Sequence, residues 1–492
     1  MDGGPDARTS WPVGGGFGGL ATAAYAARAG ADVEVVEKND QVGGRASRLV
    51  QDGFSFDMGP SWYLMPDVFE TFFEHMGTSP EERFELTQLD PHYRIFFKDG
   101  DRVEITPDLA ETRRTFESYE EGAGEALDAY LATARESYET GMREFVYEDR
   151  RRLRDFLSLD VARQAWGLPM FGSLADHVAD HFEHPKLQKI MQYTLVFLGG
   201  DPEWTPALYN LMGHVDHNMG VWYPEGGMAT VANAVAEVAR EQGATLTTGT
   251  PVTGIDRSGA RPRVRTAEGD REPDRVVTNA DYAHVEQDLL SEDHRQHGAD
   301  YWEGRTWAPS AFLLYLGVEG SIDPLAHHSL VLPTDWRGHF DALFEEAAWP
   351  EDPAYYVCAP SQTDDGVAPA GASNLFVLVP VAAGLRDGPK LRQRFRDRVL
   401  ADLAEHTGVD VRDRIVTERV FAVDDFASRY NAYDGTALGL AHTLDQTATL
   451  RPDRVSGAME DLFFVGQYTT PGIGVPMCLI SGLLTAEAMA ER

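Results

Sequence analysis

Gly14, Gly16 and Gly19 stand in the spacing G-x-G-x-x-G, with Gly18 inside it, and the residues on their C-terminal side leave few folds open. Residues 20–29 (LATAAYAARA) are alanine-rich and favour helix, and Gly30 is a stop. The β-branched run DVEVVE, residues 32–37, is read as a strand ending in an acid, Glu37. In such a strand–turn–helix–strand unit the first glycine permits a tight turn. The second lets the backbone approach a pyrophosphate, and the third lets helix and strand pack closely. The helix from about residue 17 aims free N–H groups and its positive end at phosphates. Glu37 stands where an acid accepts hydrogen bonds from an adenosine ribose. A lone glycine triplet is weak evidence. Here triplet, helix and strand-end acid agree, and the segment is read as a dinucleotide site.

At 492 residues the chain is too long for one core and calls for two or three domains. Residues 93–105 read as a hairpin turning at Asp99-Gly100. From about residue 106 to 220 acidic helical patterns dominate, with apolar patches at 165–174 and 193–200. A helix is expected after Gly226-Gly227, with Val231, Val235 and Val238 at i, i+4 and i+7 and Gly243 as its stop. Short strands are expected at 245–255 and 274–278, and apolar strands at 311–318 and 374–381. Residues 461–492 read as a buried strand, a glycine-rich loop and a helix. The cofactor domain is therefore expected in three pieces, 1–105, 225–285 and 425–492. A second domain, 106–224 and 286–424, is inserted between them.

The charge balance narrows the partners. There are 79 acidic residues against 43 basic ones, a formal net charge of −36, and only five of the basic residues are lysines. Such a surface repels nucleic acid and anionic lipid, so no nucleic-acid partner is expected. It reads as adaptation to high salt, where ions screen self-repulsion; an ordinary acidic cytosolic enzyme is the alternative. Two distant cysteines, Cys358 and Cys478, imply neither a disulfide framework nor a cysteine metal site. With no leader-like tract and no run of about 18 apolar residues, the expected location is cytoplasmic, with membrane-surface contact still open.

Five residues separate Glu37 from Gly43-Gly44-Arg45. The whole pattern resembles the two-dinucleotide-binding-domain flavoproteins, the group of amine oxidases, protoporphyrinogen oxidases and phytoene desaturases. The resemblance implies FAD, with Gly44 and Arg45 against the pyrophosphate, where a guanidinium suits an anion. Other segments narrow it. FSFDMGPSW (54–62) resembles the segment that runs past the flavin ring in phytoene desaturases, with Gly59, Pro60 and Ser61 beside it. YPEGGM (223–228) resembles the return to the FAD domain, and VVTNAD (276–281) a family strand and turn. TPVTGI (250–255) resembles the strand whose Val252 backbone meets the adenine. Residues 463–482 resemble the C-terminal flavin segment, with Gly466 near the phosphates and ribityl chain. There Gly474, Val475 and Pro476 lie at the pyrimidine edge. The overall likeness is to phytoene-desaturase-type enzymes of halophilic archaea.

The implied fold class is α/β: a discontinuous Rossmann-type FAD-binding domain with an inserted α+β substrate domain. The implied activity is FAD-dependent desaturation, placing conjugated double bonds in a carotenoid such as phytoene or a later intermediate. No general acid or base is assigned, because the polyene's own conjugation stabilises an allylic cation. The implied partners are a long apolar isoprenoid, the membrane surface in peripheral contact, and quinone or oxygen as electron acceptor. Rival readings are another flavin oxidase of the amine or porphyrinogen type, or a flavin-free prenyl-lipid binder like the Rab GDP-dissociation inhibitors. The intact glycine motifs argue against the binder.

One departure favours it slightly. Arg8-Thr9-Ser10-Trp11-Pro12-Val13 replaces the apolar β run of the family, and Pro12 is unexpected in a central strand. Either the start of the chain is damaged or the strand is short and distorted. His214/His217 and His181/His184 have i, i+3 spacing without an evident third ligand, and adjacent His327-His328 are expected to point apart, so no metal is assigned. The aromatics Trp62, Tyr63, Trp166, Phe171, Phe197, Trp222 and Tyr223 fit a tunnel lining or plain core equally.

Overall fold

The computed structural model describes residues 9–148 and 172–492; Trp166, Phe171 and most of the 165–174 patch lie outside them. The strand Thr9–Val13 takes the middle of a five-stranded parallel sheet. Arg275–Thr278 and Leu462–Phe464 lie to one side, Asp32–Val36 and Thr245–Thr247 to the other. Strands far apart in sequence thus complete one sheet.

Pro12 does occupy a central strand, against expectation. Toward Arg275–Thr278 the pairing is continuous and sets Pro12 opposite Val277. Toward Asp32–Val36 it skips Trp11 and Pro12. The missing donor thus coincides with a gap in the ladder, and burial holds the strand instead. Trp11 is buried with Val36, Ile255, Val264 and Val276.

Three helices cover this sheet. The first, Phe17–Arg28, buries its alanines against Val231, Val235 and Val238 of the helix Met228–Glu241. The last, Val475–Ala490, crosses the first so closely that a Cβ at Gly482 would lie 2.5 Å from the Ala21 Cβ. Small residues at the crossing bring the N-termini of both helices toward one space.

The second sheet has seven strands, in the order Ile415–Phe421, Ser310–Glu319, Ala372–Val381, Tyr355–Cys358, His328–Leu332, Tyr93–Phe97 and Arg102–Ile105. Neighbours are antiparallel except His328–Leu332 with Tyr93–Phe97. The hairpin at 93–105, expected in the cofactor domain, therefore belongs to the second sheet. Its apolar Tyr93, Ile95 and Phe97 share a core with Leu313, Leu330 and Tyr356, which decides where the hairpin docks.

The strand Ser310–Glu319 is apolar on both faces, as a strand covered on both sides must be. Phe312, Leu314 and Leu316 pack on Phe395, Val399 and Leu403 of the helix Pro389–Thr407. Ala311 and Leu313 face the other way, onto the wall of a large cavity. Among the described residues no helix is long and apolar enough to cross a membrane.

Candidate functional site

A cavity of about 1100 Å³ joins the two sheets. Its wall includes Gly14, Gly16 and Gly18 of the glycine loop, Glu37 at the strand end, and Gly44 and Arg45. It continues along Gly59, Pro60, Ser61 and Trp62, along Gly474, Val475 and Pro476, and across Ala311, Leu313 and Leu378 of the second sheet. The glycine loop and the start of the last helix therefore front one space.

The loop is built for close approach. Gly14 has φ +103°, a conformation that disfavours any side chain, and its N–H donates to the Val36 carbonyl at 2.7 Å. A Cβ at Gly19 would lie 2.2 Å from the Gly14 carbonyl oxygen, so the third glycine is a packing requirement. Gly16 caps the first helix with no side chain on its N–H groups. Glu37 is buried; one carboxyl oxygen accepts from Gly15 N–H at 2.7 Å and the other from Asn39 N–H at 2.8 Å. That pairing fixes the acid at the cavity wall. Val252 lines the wall beside Thr250, whose N–H donates to the Glu37 carbonyl at 2.8 Å.

Arg45 is the strongest test of fit to an anionic cofactor. The residue lines the cavity, and its Nε and Nη2 are buried with no hydrogen-bond partner among the described residues. Buried donors without partners are costly, and charged ones most of all. A pyrophosphate would satisfy them. Gly466, in contrast, stands behind the wall. Its N–H donates to Ser481 Oγ at 2.9 Å, while Val465 and Gln467 on either side line the cavity.

Several organising contacts join segments far apart in sequence. Asn279, inside the 276–281 segment, donates from Nδ2 to the Val465 carbonyl at 3.0 Å and lies against Gly16, Gly18 and Gly466. It ties the glycine loop to the C-terminal segment. Asp57 accepts from Met228 N–H at 2.8 Å and Ala229 N–H at 3.0 Å, capping the return helix from another strand. Burial raises its carboxyl from 3.8 to about 6. Elsewhere on the wall, Ser61 Oγ and Tyr356 Oη are 2.8 Å apart, and Tyr356 Oη is 2.6 Å from His328 Nδ1. Side-chain bonds across such sequence distances have no local signature.

His327 and His328 do not point apart. Their ring centroids are 4.5 Å apart, and with Cys358 they bring one ligand atom each within 4.8 Å. Burial pushes the Cys358 thiol up to about 12. Of the candidate aromatics, Trp62 lines the cavity. Tyr63 stacks on Phe69 in the first core, Trp222 packs beside that core, and Tyr223 donates to Asp364 at 2.8 Å.

Comparison with known proteins agrees with this arrangement. The chain is 61% identical to the carotenoid 3,4-desaturase of Haloarcula japonica over 97% of both chains. It is 36% identical to the zeta-carotene-forming phytoene desaturase of Myxococcus xanthus, over 97% of this chain and 93% of that one. The fold is shared with a putative protoporphyrinogen oxidase from Exiguobacterium sp. 255-15, with a TM-score of 0.63 at 16% identity, covering 99% of this chain and 100% of that one. Residues 17–490 match the flavin-containing amine oxidoreductases, and the chain belongs to that family.

Proposed function

We propose that this chain is an FAD-dependent oxidoreductase acting on CH–CH bonds, a carotenoid desaturase, and that its cavity holds cofactor and polyene end to end. The observation that carries the reading is that two Arg45 donors, Nε and Nη2, are buried without hydrogen-bond partners among the described residues, in the same cavity as an apolar sheet face. The similarity to carotenoid desaturases over nearly the whole chain supports the substrate class.

In this reading the pyrophosphate lies on Gly14, Gly16, Gly18, Gly44 and Arg45, the ribose on Glu37, and the adenine against Val252. Gly59, Pro60, Ser61, Gly474 and Val475 flank the flavin, and Gly466 holds its loop from behind through Ser481. Gly19 acts by packing, not contact. Bound there, FAD supplies a two-electron hydride acceptor. The chain's own residues exclude water and align the polyene: Trp62, Leu313, Leu378 and Pro380 form an apolar wall. One hydrogen leaves a saturated carbon as hydride and its neighbour loses a proton, leaving a new conjugated double bond. Electrons pass on to a quinone or oxygen.

The substrate enters from lipid, with the protein in peripheral contact with the membrane. Leu444 and Leu450 are 66% and 53% exposed and flank Thr447, Ala448 and Thr449 of the cavity wall, which supports this rim as the contact. The acidic surface supports a salt-rich cytoplasm as its setting. Purified protein should carry flavin absorbance, and cells accumulating phytoene or lycopene should gain more conjugated pigments on expressing it. Colourless protein with unchanged pigments would favour the prenyl-lipid binder.

A further inference from the structure

Behind the cavity wall lies a buried cation that neither the cofactor's phosphates nor a hydrocarbon explains. Arg451 is 4% exposed. Among the described residues its guanidinium donates to backbone carbonyls alone: Nη2 to Gln467 at 2.7 Å and Leu440 at 3.4 Å, Nη1 to Gln446 at 3.2 Å, and Nε to Tyr468 at 3.3 Å. Carbonyl dipoles solvate a cation but carry no net charge, so its field stays unmatched. The ionisable groups whose anions would stabilise it are Tyr209, Tyr468, Tyr301 and Cys478. Burial raises all four, so none is an anion at neutral pH. Burial lowers Arg451 itself to about 10, which leaves it a cation. The His442 imidazole beside it is lowered to about 3, by burial first and by Arg451 second, and adds no charge. Arg45, the other cation acting on Cys478, is matched by the pyrophosphate in the proposed reading.

Gly472 brings this charge close to the cavity. A Cβ there would lie 3.6 Å from Arg451 Cζ and 2.9 Å from His442 Nε2, so the guanidinium lies against the backbone of the loop. Pro471, Ile473 and Gly474 of that loop line the cavity, as do Gln467 and Tyr468, whose carbonyls Arg451 holds. We infer that Arg451 sets the reduction potential of the bound flavin, raising it by holding an unmatched positive charge behind Gly472. The inference rests on the proposed reading, in which Gly474 and Val475 flank the flavin, and deepens it. A hydride carries one negative charge into a neutral flavin ring. A cation inside a protein favours that added charge about tenfold even across roughly 10 Å. A CH–CH bond with no heteroatom beside it gives up hydride reluctantly, so its oxidant must be strong. A flavin of raised potential then passes its electrons to a quinone rather than to a nicotinamide, whose potential is lower.

The test uses flavin-loaded protein and compares wild type with Arg451→Met, Arg451→Gln and Arg451→Lys. The flavin midpoint potential is read by anaerobic reduction against reference dyes. A second readout is the Kd for sulfite, which adds to a flavin as an anion and is favoured by the same cation. In the Met and Gln variants the balance of reduced to oxidised flavin should move about tenfold toward the oxidised form, a fall of about 30 mV. Sulfite affinity should fall with it, and Arg451→Lys should stay within about threefold of wild type in both. A guanidinium that only ties its four carbonyls together would lower the unfolding temperature of all three variants and leave both readouts unmoved. Equal potentials in wild type and the Met and Gln variants overturn the inference. Should Arg451→Met fail to hold flavin, Arg451→Gln decides, because it keeps donors for the carbonyls. Wild-type flavin that resists sulfite altogether overturns the inference whatever the variants do. Wild-type flavin that no acyclic carotene reduces brings down the desaturase reading, while a potential difference among the variants would still stand. Equal potentials in a wild type that oxidises carotenes remove the role of Arg451 alone.

Discussion

Arg45 and Asp57 show how single side chains are set against their own stability. Arg45 Nε and Nη2 are buried without hydrogen-bond partners among the described residues, so the flavin-free protein is weakened by a residue that suits the cofactor. Arg45→Met should therefore move two measurements in opposite directions. Thermal unfolding of the flavin-free protein should shift upward, while flavin Kd, measured by titration, should rise about tenfold to hundredfold. Asp57 gives a pH signature. Burial is the first cause of its rise from 3.8 to about 6, outweighing the Met228 and Ala229 N–H groups that pull it down. Between those values the folded chain holds more proton than the unfolded chain. Its contribution is full below 3.8 and is lost as pH rises through about 6. Urea unfolding of wild type relative to Asp57→Asn should show wild type losing ground by ~3 kcal/mol across that window. A flat difference would mean that the carboxyl is solvated.

Among the elements, the strand Thr9–Val13 and the crossing of the first and last helices matter most to the site. The strand holds its place by burial of Trp11 and by pairing on one side, while the other ladder skips Trp11 and Pro12. Replacing residues 9–13 with an apolar β-branched run should complete that ladder, steady the glycine loop beyond it, and raise flavin content per chain. Equal flavin content before and after would refute it. At the helix crossing, Gly482→Val would place a side chain where a Cβ alone already meets Ala21 Cβ at 2.5 Å. The helices must separate, at about 1–3 kcal/mol. Because both helix N-termini line the cavity, flavin affinity should fall together with the unfolding temperature.

For the whole molecule the dominant quantity is the net charge of −36. Self-repulsion on this scale weakens a compact state unless ions screen it. The thermal midpoint should therefore climb steadily as KCl is raised from ~0.1 M to ~3 M, where the screening length falls from about 10 Å to below about 3 Å. A midpoint indifferent to salt would leave an ordinary acidic enzyme. The same scale governs access. Leu444 and Leu450 are exposed beside the cavity rim, two large apolar side chains on an otherwise acidic protein. Leu444→Glu with Leu450→Glu should reduce sedimentation with lipid vesicles while leaving flavin absorbance intact.

Much of the cofactor side is local chemistry and is legible in the amino-acid order alone. The glycine triplet, the alanine-rich helix, the strand-end acid, Gly43-Gly44-Arg45 and the proline-led last helix are short patterns whose geometry is set by neighbouring residues. The hairpin at 93–105 is legible as a hairpin, yet its sheet is not, because strand docking depends on which core its apolar face completes. The central place of Pro12 is hidden for the same reason: burial of its neighbour Trp11 by Ile255, Val264 and Val276 outweighs a missing ladder bond, and those partners are more than 240 residues away. Asn279 against the glycine loop and Asp57 capping a helix far away in sequence were left to the tertiary structure. Each takes its meaning from groups that meet only when two sheets close around one cavity, and no local spacing encodes such a meeting.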